Sequence, residues 1–167
     1  MGRDYSQVLR AAGDHLRPEM DRRERMQLVA DLLWEAFGTG GARVSWVGFY
    51  LPDETGERLV LGPRRDKPAC SPIGLHGVCG NAFATCRAVI VGDVRELGDA
   101  YIACDPGDRS ELAVPMLDEA GHCLGVIDLD SRAVGAFDEG DAAGVTQVLV
   151  WQRLTARPQG GRSAEDP

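Results

Sequence analysis

Residues 110–130 constrain the fold more than any other stretch of this chain. Two alternating runs, SELAVPML (110–117) and HCLGVIDLD (122–130), flank Asp118-Glu119-Ala120-Gly121. That pattern predicts a β-hairpin. A symmetric four-residue turn pairs residue 117 with 122, setting Glu111 opposite Asp128 and Arg109 opposite Asp130. Asp128 and Asp130 also share one face of their strand. Like charges facing each other across strands are destabilising. Partial burial raises at least one carboxyl pKa. Three carboxylates on one sheet face therefore call for a cation, a metal or a proton-transfer role. The competing reading is a solvated face with Arg109 or Arg132 as salt-bridge partner, over a core of Leu112, Val114, Ile127 and Leu129. The pattern alone weighs the two equally. A one-residue slip would carry the carboxylates to the other face.

The remaining segments place helices at both ends and strands in the middle. Residues 5–16 and 19–37 read as helices separated by Pro18, the second with Met26, Val29, Leu33 and Phe37 at helical spacing. Strands are expected at 43–51 and 58–62, a short helix at 77–85 and a short strand at 88–91. Residues 92–109 form a loop long enough to suggest a function. A closing helix spans 138–155, with Val145, Val148, Leu149 and Trp151 on its apolar side. The division expected is a helical extension (1–18), one domain (19–156) and a polar, disordered tail (157–167). This is an α+β chain, with helices on one face of a mostly antiparallel sheet. In strand 43–51, Val44, Trp46, Gly48 and Tyr50 share a face, so a gap falls between two aromatic rings. The gap could suit a small ligand, but an aromatic-rich strand is ordinary core, which favours Gly48 letting a helix approach.

Composition narrows the partners. The 167 residues fit one domain, and a net charge of −8 gives no footprint for nucleic acid or anionic membrane. No apolar run approaches the roughly 20 residues that span a bilayer. The charged N-terminal segment lacks an apolar signal core, and five is an odd number of cysteines. A reducing cytoplasm is the expected compartment.

Cys70, Cys79 and Cys104 lie in Gly/Pro-punctuated stretches, KPACSPIG, HGVCGNA and YIACDPGD. Cys79 falls near a helix start, where the dipole would lower its thiol pKa. Cys86 and Cys123 read as incidental small apolar residues. A zinc set of Cys70, His76, Cys79 and Cys104 matches no common spacing. No motif supports a Cys–His hydrolase using His15, His76 or His122. Thiol redox chemistry needs only an attacking thiolate and a resolving thiol, and it fits these loops best.

Taken together, WVGFYL (46–51), LVLGP (59–63), KPAC (67–70), GVCG (77–80), YIACD (101–105), RSELAVP (109–115) and LGVIDLDS (124–131) resemble the free methionine-(R)-sulfoxide reductases, which are GAF-domain proteins. The resemblance covers roughly residues 20–150. It implies a GAF fold, a central antiparallel sheet with helices on one face and pocket-enclosing loops on the other. It implies reduction of free methionine-(R)-sulfoxide, with no cofactor and no metal. Cys104 would attack and form the sulfenic acid, Cys70 would resolve it, and Cys79 would be an additional thiol. Thioredoxin would reduce the disulfide. Glu111, Asp128 and Asp130 match the family's carboxylates, for proton transfer and for the substrate ammonium. Trp46 and Tyr50 match its aromatic wall, and relatives suggest a homodimer. Ala100-Tyr101 and Asp105-Pro106-Gly107-Asp108 depart from the usual pattern. The alternative is a GAF binding or redox-sensing module without turnover.

Overall fold

The computed structural model describes residues 2–38, 44–65, 67–100 and 104–157. The tail expected at 157–167 lies outside the described residues beyond Arg157. In chain order the elements are α1 (Ser6–His15), α2 (Arg22–Phe37), β1 (Trp46–Pro52), β2 (Leu59–Arg65), α3 (Val78–Thr85), β3 (Val89–Val91), a 3-10 segment (Val94–Ala100), β4 (Ser110–Leu117), β5 (Cys123–Ser131) and α4 (Glu139–Trp151). Two helix starts are chemically specified. Asp21 and Glu24 cap α2 reciprocally, side chain to backbone N–H, and Asp138 and Asp141 do the same for α4. Each box satisfies two otherwise orphan N–H groups, stabilising by about 1 kcal/mol.

The five strands form one antiparallel sheet in the order β2-β1-β5-β4-β3. Strand alternation divides it into two unlike faces. Val47, Phe49, Leu112, Val114, Met116, Ile127 and Leu129 pack under α1, α2 and α4 as the main core. Trp46, Tyr50, Ala113 and Val126 point the other way and meet Val78, Cys79 and Ala82 of α3. Helices thus cover one face, while α3 and loops enclose the other. Val44 does not follow the strand alternation. The strand begins at Trp46, and Val44 packs into the helix-side core. Trp151 is 55% exposed, so the apolar side of α4 is carried by Val145, Val148 and Leu149 without it.

The hairpin register differs from the symmetric turn by two residues. Leu117 pairs with Cys123 across residues 118–122, and a further irregularity at Met116/Leu117 makes Met116 face Gly125. Asp118 holds the longer loop by accepting from the N–H groups of Ala120 and His122. Gly125 permits the irregularity. Its φ is +142°, and a Cβ there would lie 2.7 Å from the Tyr50 carbonyl oxygen. Two single-residue slips restore the original parity. Glu111 now opposes Asp130 and Asp128 opposes Ala113, but all three carboxyls stay on one face. Arg109 is not opposite Asp130; its guanidinium donates to Asp93 at 2.7 Å.

Candidate active site

The carboxyl-bearing face is the one that α3 covers. Glu111 and Asp128 are buried, and Asp130 keeps part of its surface open to water. Neither predicted cation reaches them: Arg109 pairs with Asp93, and Arg132 lies 3.5 Å from Asp105. The solvated, salt-bridged reading of this face therefore fails on burial and on partners. One oxygen of Asp128, Oδ1, is buried without a hydrogen-bond partner among the described residues. A buried orphan of this kind costs on the order of 1–3 kcal/mol, which marks it as a place for an absent partner.

Burial is the first cause raising all three carboxyls well above the ordinary range. Mutual repulsion follows, from Asp130 on Glu111 and from Glu111 on Asp128. Burial of Glu111 and Asp128 in one cluster disfavours two carboxylates, so the pair together holds on to a proton. Part of the Asp130 surface meets water, so burial weighs less on it. Asp108, buried and accepting from Ser45 Oγ at 2.8 Å, adds a fourth carboxyl that pushes the others upward.

Cys79 belongs to this cluster. Its Sγ lies 3.9 Å from Glu111 Oε1. Burial, then Asp128 and Glu111, raise its thiol well above the usual value. The helix dipole loses here, because desolvation and two carboxyls act against an end effect of about 1 kcal/mol or less. The donor atoms of Cys79, Glu111 and Asp128 lie within 4.8 Å of one another. No histidine joins them among the described residues, and an ion there would have to displace the protons that burial favours. His76 is exposed.

Cys104 and Cys70 lie on two neighbouring loops. The exposed Cys104 has the Cys70 thiol and backbone among the groups that act on its own thiol. Its pKa is pushed up to about 12, first by surrounding protein and then by the Cys70 thiol. Water on its open side offsets part of that burial. All five cysteines are free. Residues 101–103 lie outside the described residues, so YIACD is placed from Cys104 onward.

Three contacts hold the loops together, and sequence reasoning missed their partners. Lys67 forms an ion pair with Asp105, joining the residues beside the two thiols. That pair, with the Gly107 N–H, holds the Asp105 carboxyl down to about 2. Trp46 Nε1–H donates to the Lys67 carbonyl at 2.9 Å, and the Tyr50 hydroxyl donates to the Cys70 carbonyl at 2.9 Å. The two aromatics therefore anchor the loop that carries Cys70. The only sequence signal for the clamp was the departure at Asp105–Asp108.

The gap expected between the rings is filled. Trp46 lies flat over Gly48, where a Cβ would sit 2.3 Å from its Cη2, and the two ring centroids are 6.1 Å apart. Gly48 pairs with Asp128, so the indole is pressed beside that carboxyl. Gly48→Ala should destabilise the fold by about 1–3 kcal/mol through forced displacement of the indole. An unchanged denaturation midpoint would remove that packing argument.

Comparison with known proteins gives a consistent picture. The GAF domain pattern matches residues 19–149. A free methionine-R-sulfoxide reductase from Neisseria meningitidis, solved in complex with its substrate, is 37% identical with a TM-score of 0.78, over 89% of this chain and 86% of that one. A free methionine-R-sulfoxide reductase of Saccharomyces cerevisiae is 39% identical over 67% of this chain and 63% of its own. Protein ZMO0507 of Zymomonas mobilis is 37% identical over 87% of this chain and 86% of its own.

Proposed function

The chain belongs to the GAF domain family and, within it, to the free methionine-R-sulfoxide reductases, and on that premise we propose how its residues reduce the free amino acid. The observation that carries the reading is the convergence of the Cys70 and Cys104 loops, joined by the Lys67–Asp105 ion pair, with a buried carboxyl cluster that no described cation reaches at ion-pair distance. A sulfoxide is a poor electrophile until its oxygen is protonated or strongly hydrogen-bonded. Asp128, kept protonated by burial beside Glu111, is the donor. A carboxyl held neutral near pH 7 is suited to that task.

The steps balance as follows. Asp128 gives its proton to the sulfoxide oxygen, the Cys104 thiol gives up its proton to water, from which Asp128 is reprotonated, and the Cys104 sulfur attacks the sulfoxide sulfur. The oxygen passes to Cys104 as a sulfenic acid, and methionine leaves with two electrons from that cysteine. The Cys70 thiol then attacks the sulfenic sulfur; an S–S bond forms and water leaves. A thioredoxin dithiol returns the disulfide to two thiols by exchange. Glu111 or Asp130, once ionised, attracts the substrate ammonium, and Trp46 and Tyr50 hold the S-methyl end. Cys79, raised and buried, serves as an auxiliary thiol.

Five free thiols suit a reducing compartment, which we take to be the cytoplasm, and no described helix is long and apolar enough to cross a membrane. The same reading includes a homodimer. The exposed Trp151 beside a groove of about 1310 Å³, lined by Leu16, Leu117, Leu124 and Leu154, is a surface that suits a second copy. Sedimentation showing one 18.0 kDa species would remove the dimer.

The deciding experiment is NADPH oxidation coupled through thioredoxin, with both free epimers and a sulfoxide-bearing peptide as substrates. Turnover is expected with the free R epimer alone. Inactivity toward it, with the chain folded and reduced, would leave a GAF binding module in place of the enzyme.

A further inference from the structure

The loops that carry Cys70 and Cys104 are fixed to the rest of the fold separately. On the Cys70 side, Trp46 Nε1–H donates to the Lys67 carbonyl at 2.9 Å, and the Tyr50 hydroxyl donates to the Cys70 carbonyl at 2.9 Å. Leu59 and Ile73 exchange two backbone hydrogen bonds just beyond. On the Cys104 side, the Asp108 carboxyl accepts from Ser45 Oγ at 2.8 Å, and the Arg109 N–H donates to the Ser131 carbonyl at 2.8 Å. The ion pair of Lys67 with Asp105 joins the two loops to each other. Lys67 lies three residues before Cys70, and Asp105 directly follows Cys104.

Both partners are held for that contact. Lys67 is tied at each end, its carbonyl to the Trp46 indole and its ammonium to Asp105. Asp105 Oδ1 accepts from the Gly107 N–H at 2.9 Å, which leaves Oδ2 for Lys67. The Asp105 carboxyl, held down to about 2, is ionised near neutral pH. An ordinary surface pair gains little, because ordering two free side chains offsets the attraction. Here the indole pins the backbone beneath Lys67, and the Gly107 turn pins the carboxylate. Among the described residues no other ion pair links the two loops.

We propose that Lys67 and Asp105 are positioning residues for the resolving step, setting the reach of the Cys70 loop toward Cys104 once the sulfenic acid has formed. The inference rests on the reductase reading and on its roles for the two thiols. In that step the Cys70 sulfur, having lost its proton, attacks the sulfenic sulfur of Cys104. The S–S bond forms, the S–O bond breaks, and hydroxide leaves with that proton as water. Cys70 is oxidised and the sulfenic sulfur is reduced. Lys67 and Asp105 exchange no atoms or electrons; they fix where the two loops stand.

The pair governs closure and not the first attack. Attack uses Cys104 and the carboxyls of β4 and β5, strands that the sheet itself orders. Removing the Lys67 charge leaves Asp105 its Gly107 N–H and the Arg132 guanidinium at 3.5 Å, so the turn after Cys104 keeps its own support. Closure needs both loops in place at once, and a loosened Cys70 loop reaches the attacking distance less often. The Lys67 side chain is 40% exposed, so dissolved salt reaches the pair and screens it.

The test is a rapid-quench single turnover of the reduced full chain with free methionine-(R)-sulfoxide. Methionine release is followed beside the Cys104 sulfenic acid, trapped with dimedone and counted by mass spectrometry. Lys67→Met should release its first methionine at the wild-type rate and hold the sulfenic acid about fivefold longer. Lys67→Arg, which keeps the charge, should form the disulfide near the wild-type rate. Asp105→Asn should slow closure as Lys67→Met does, and the double variant should be no slower than either, since one contact is lost in each case. Added potassium chloride should slow closure in wild type and leave Lys67→Met unchanged. Equal sulfenic acid lifetimes in wild type and Lys67→Met would overturn the proposal, as would a salt response common to both. Wild type that releases no methionine would overturn the reductase reading, and the proposal with it.

Discussion

Replacing Cys104 with serine is expected to end turnover, lowering kcat/KM by at least about a thousandfold. A serine hydroxyl is a far weaker nucleophile than a thiolate, and its oxygen cannot accept the sulfoxide oxygen as a sulfenic acid. The fold should be unaffected. Cys104 is exposed and outside both cores, so stability should move by no more than about 0.5 kcal/mol. Cys70→Ser provides the contrast. It leaves the attacking thiol in place, so rapid quench should show about one methionine per chain, then a stall awaiting an external thiol. A Cys104→Ser enzyme that turns over at the wild-type rate would sink the assigned roles. A full multiple-turnover rate from Cys70→Ser with thioredoxin would move the resolving role to another thiol.

Asp128→Asn is expected to lower turnover by roughly a hundredfold to ten-thousandfold, while making the substrate-free protein more stable above neutral pH. The two effects share one cause. The folded-state pKa of Asp128 is raised, by burial first and by Glu111 second. A raised carboxyl contributes stability that is fully present below its ordinary pKa. That stability is lost as pH rises through the folded value. Asparagine keeps the shape and removes the ionisation, so the melting difference from wild type should grow with pH and vanish near pH 4. The gain at alkaline pH should be on the order of 1 kcal/mol. Removing one charge also lets Glu111 ionise more readily, so a double variant should gain less than the two single changes added together. A variant that is no more stable at high pH would show that the orphan Oδ1 carries no strain. Undiminished turnover would take the proton-donor role away from Asp128.

Particular residues show how much was readable in advance. The helical spacing of Met26, Val29, Leu33 and Phe37 and the alternation in 110–130 predicted their elements, because helix and strand faces depend on neighbours in sequence. The carboxyl face was legible for the same reason. Residues 111, 128 and 130 share parity under any even slip, so a two-residue error in register left the face intact. The clamp was not legible. Lys67 and Asp105 are 38 positions apart, and their meeting depends on how two loops fold over the sheet. The Cys79 thiol shows the same limit. Its place near a helix start suggested a lowered pKa, but the sign was decided by burial against Glu111 and Asp128.

The sequence by itself determined an α+β chain, a hairpin whose one face gathers three carboxyls, and reactive thiols in nearby loops. Alternation, helical spacing and helix-stopping residues act locally, which is why they could be read. The tertiary structure alone decided which titratable groups are buried. Desolvation under α3, the lack of a cation at ion-pair distance from Glu111 and Asp128 among the described residues, and the indole filling the space over Gly48 arise only when distant segments close on one another. It also decided the approach of the Cys70 and Cys104 loops, which the Lys67–Asp105 ion pair joins. That approach depends on distance in space, which spacing along the chain does not encode.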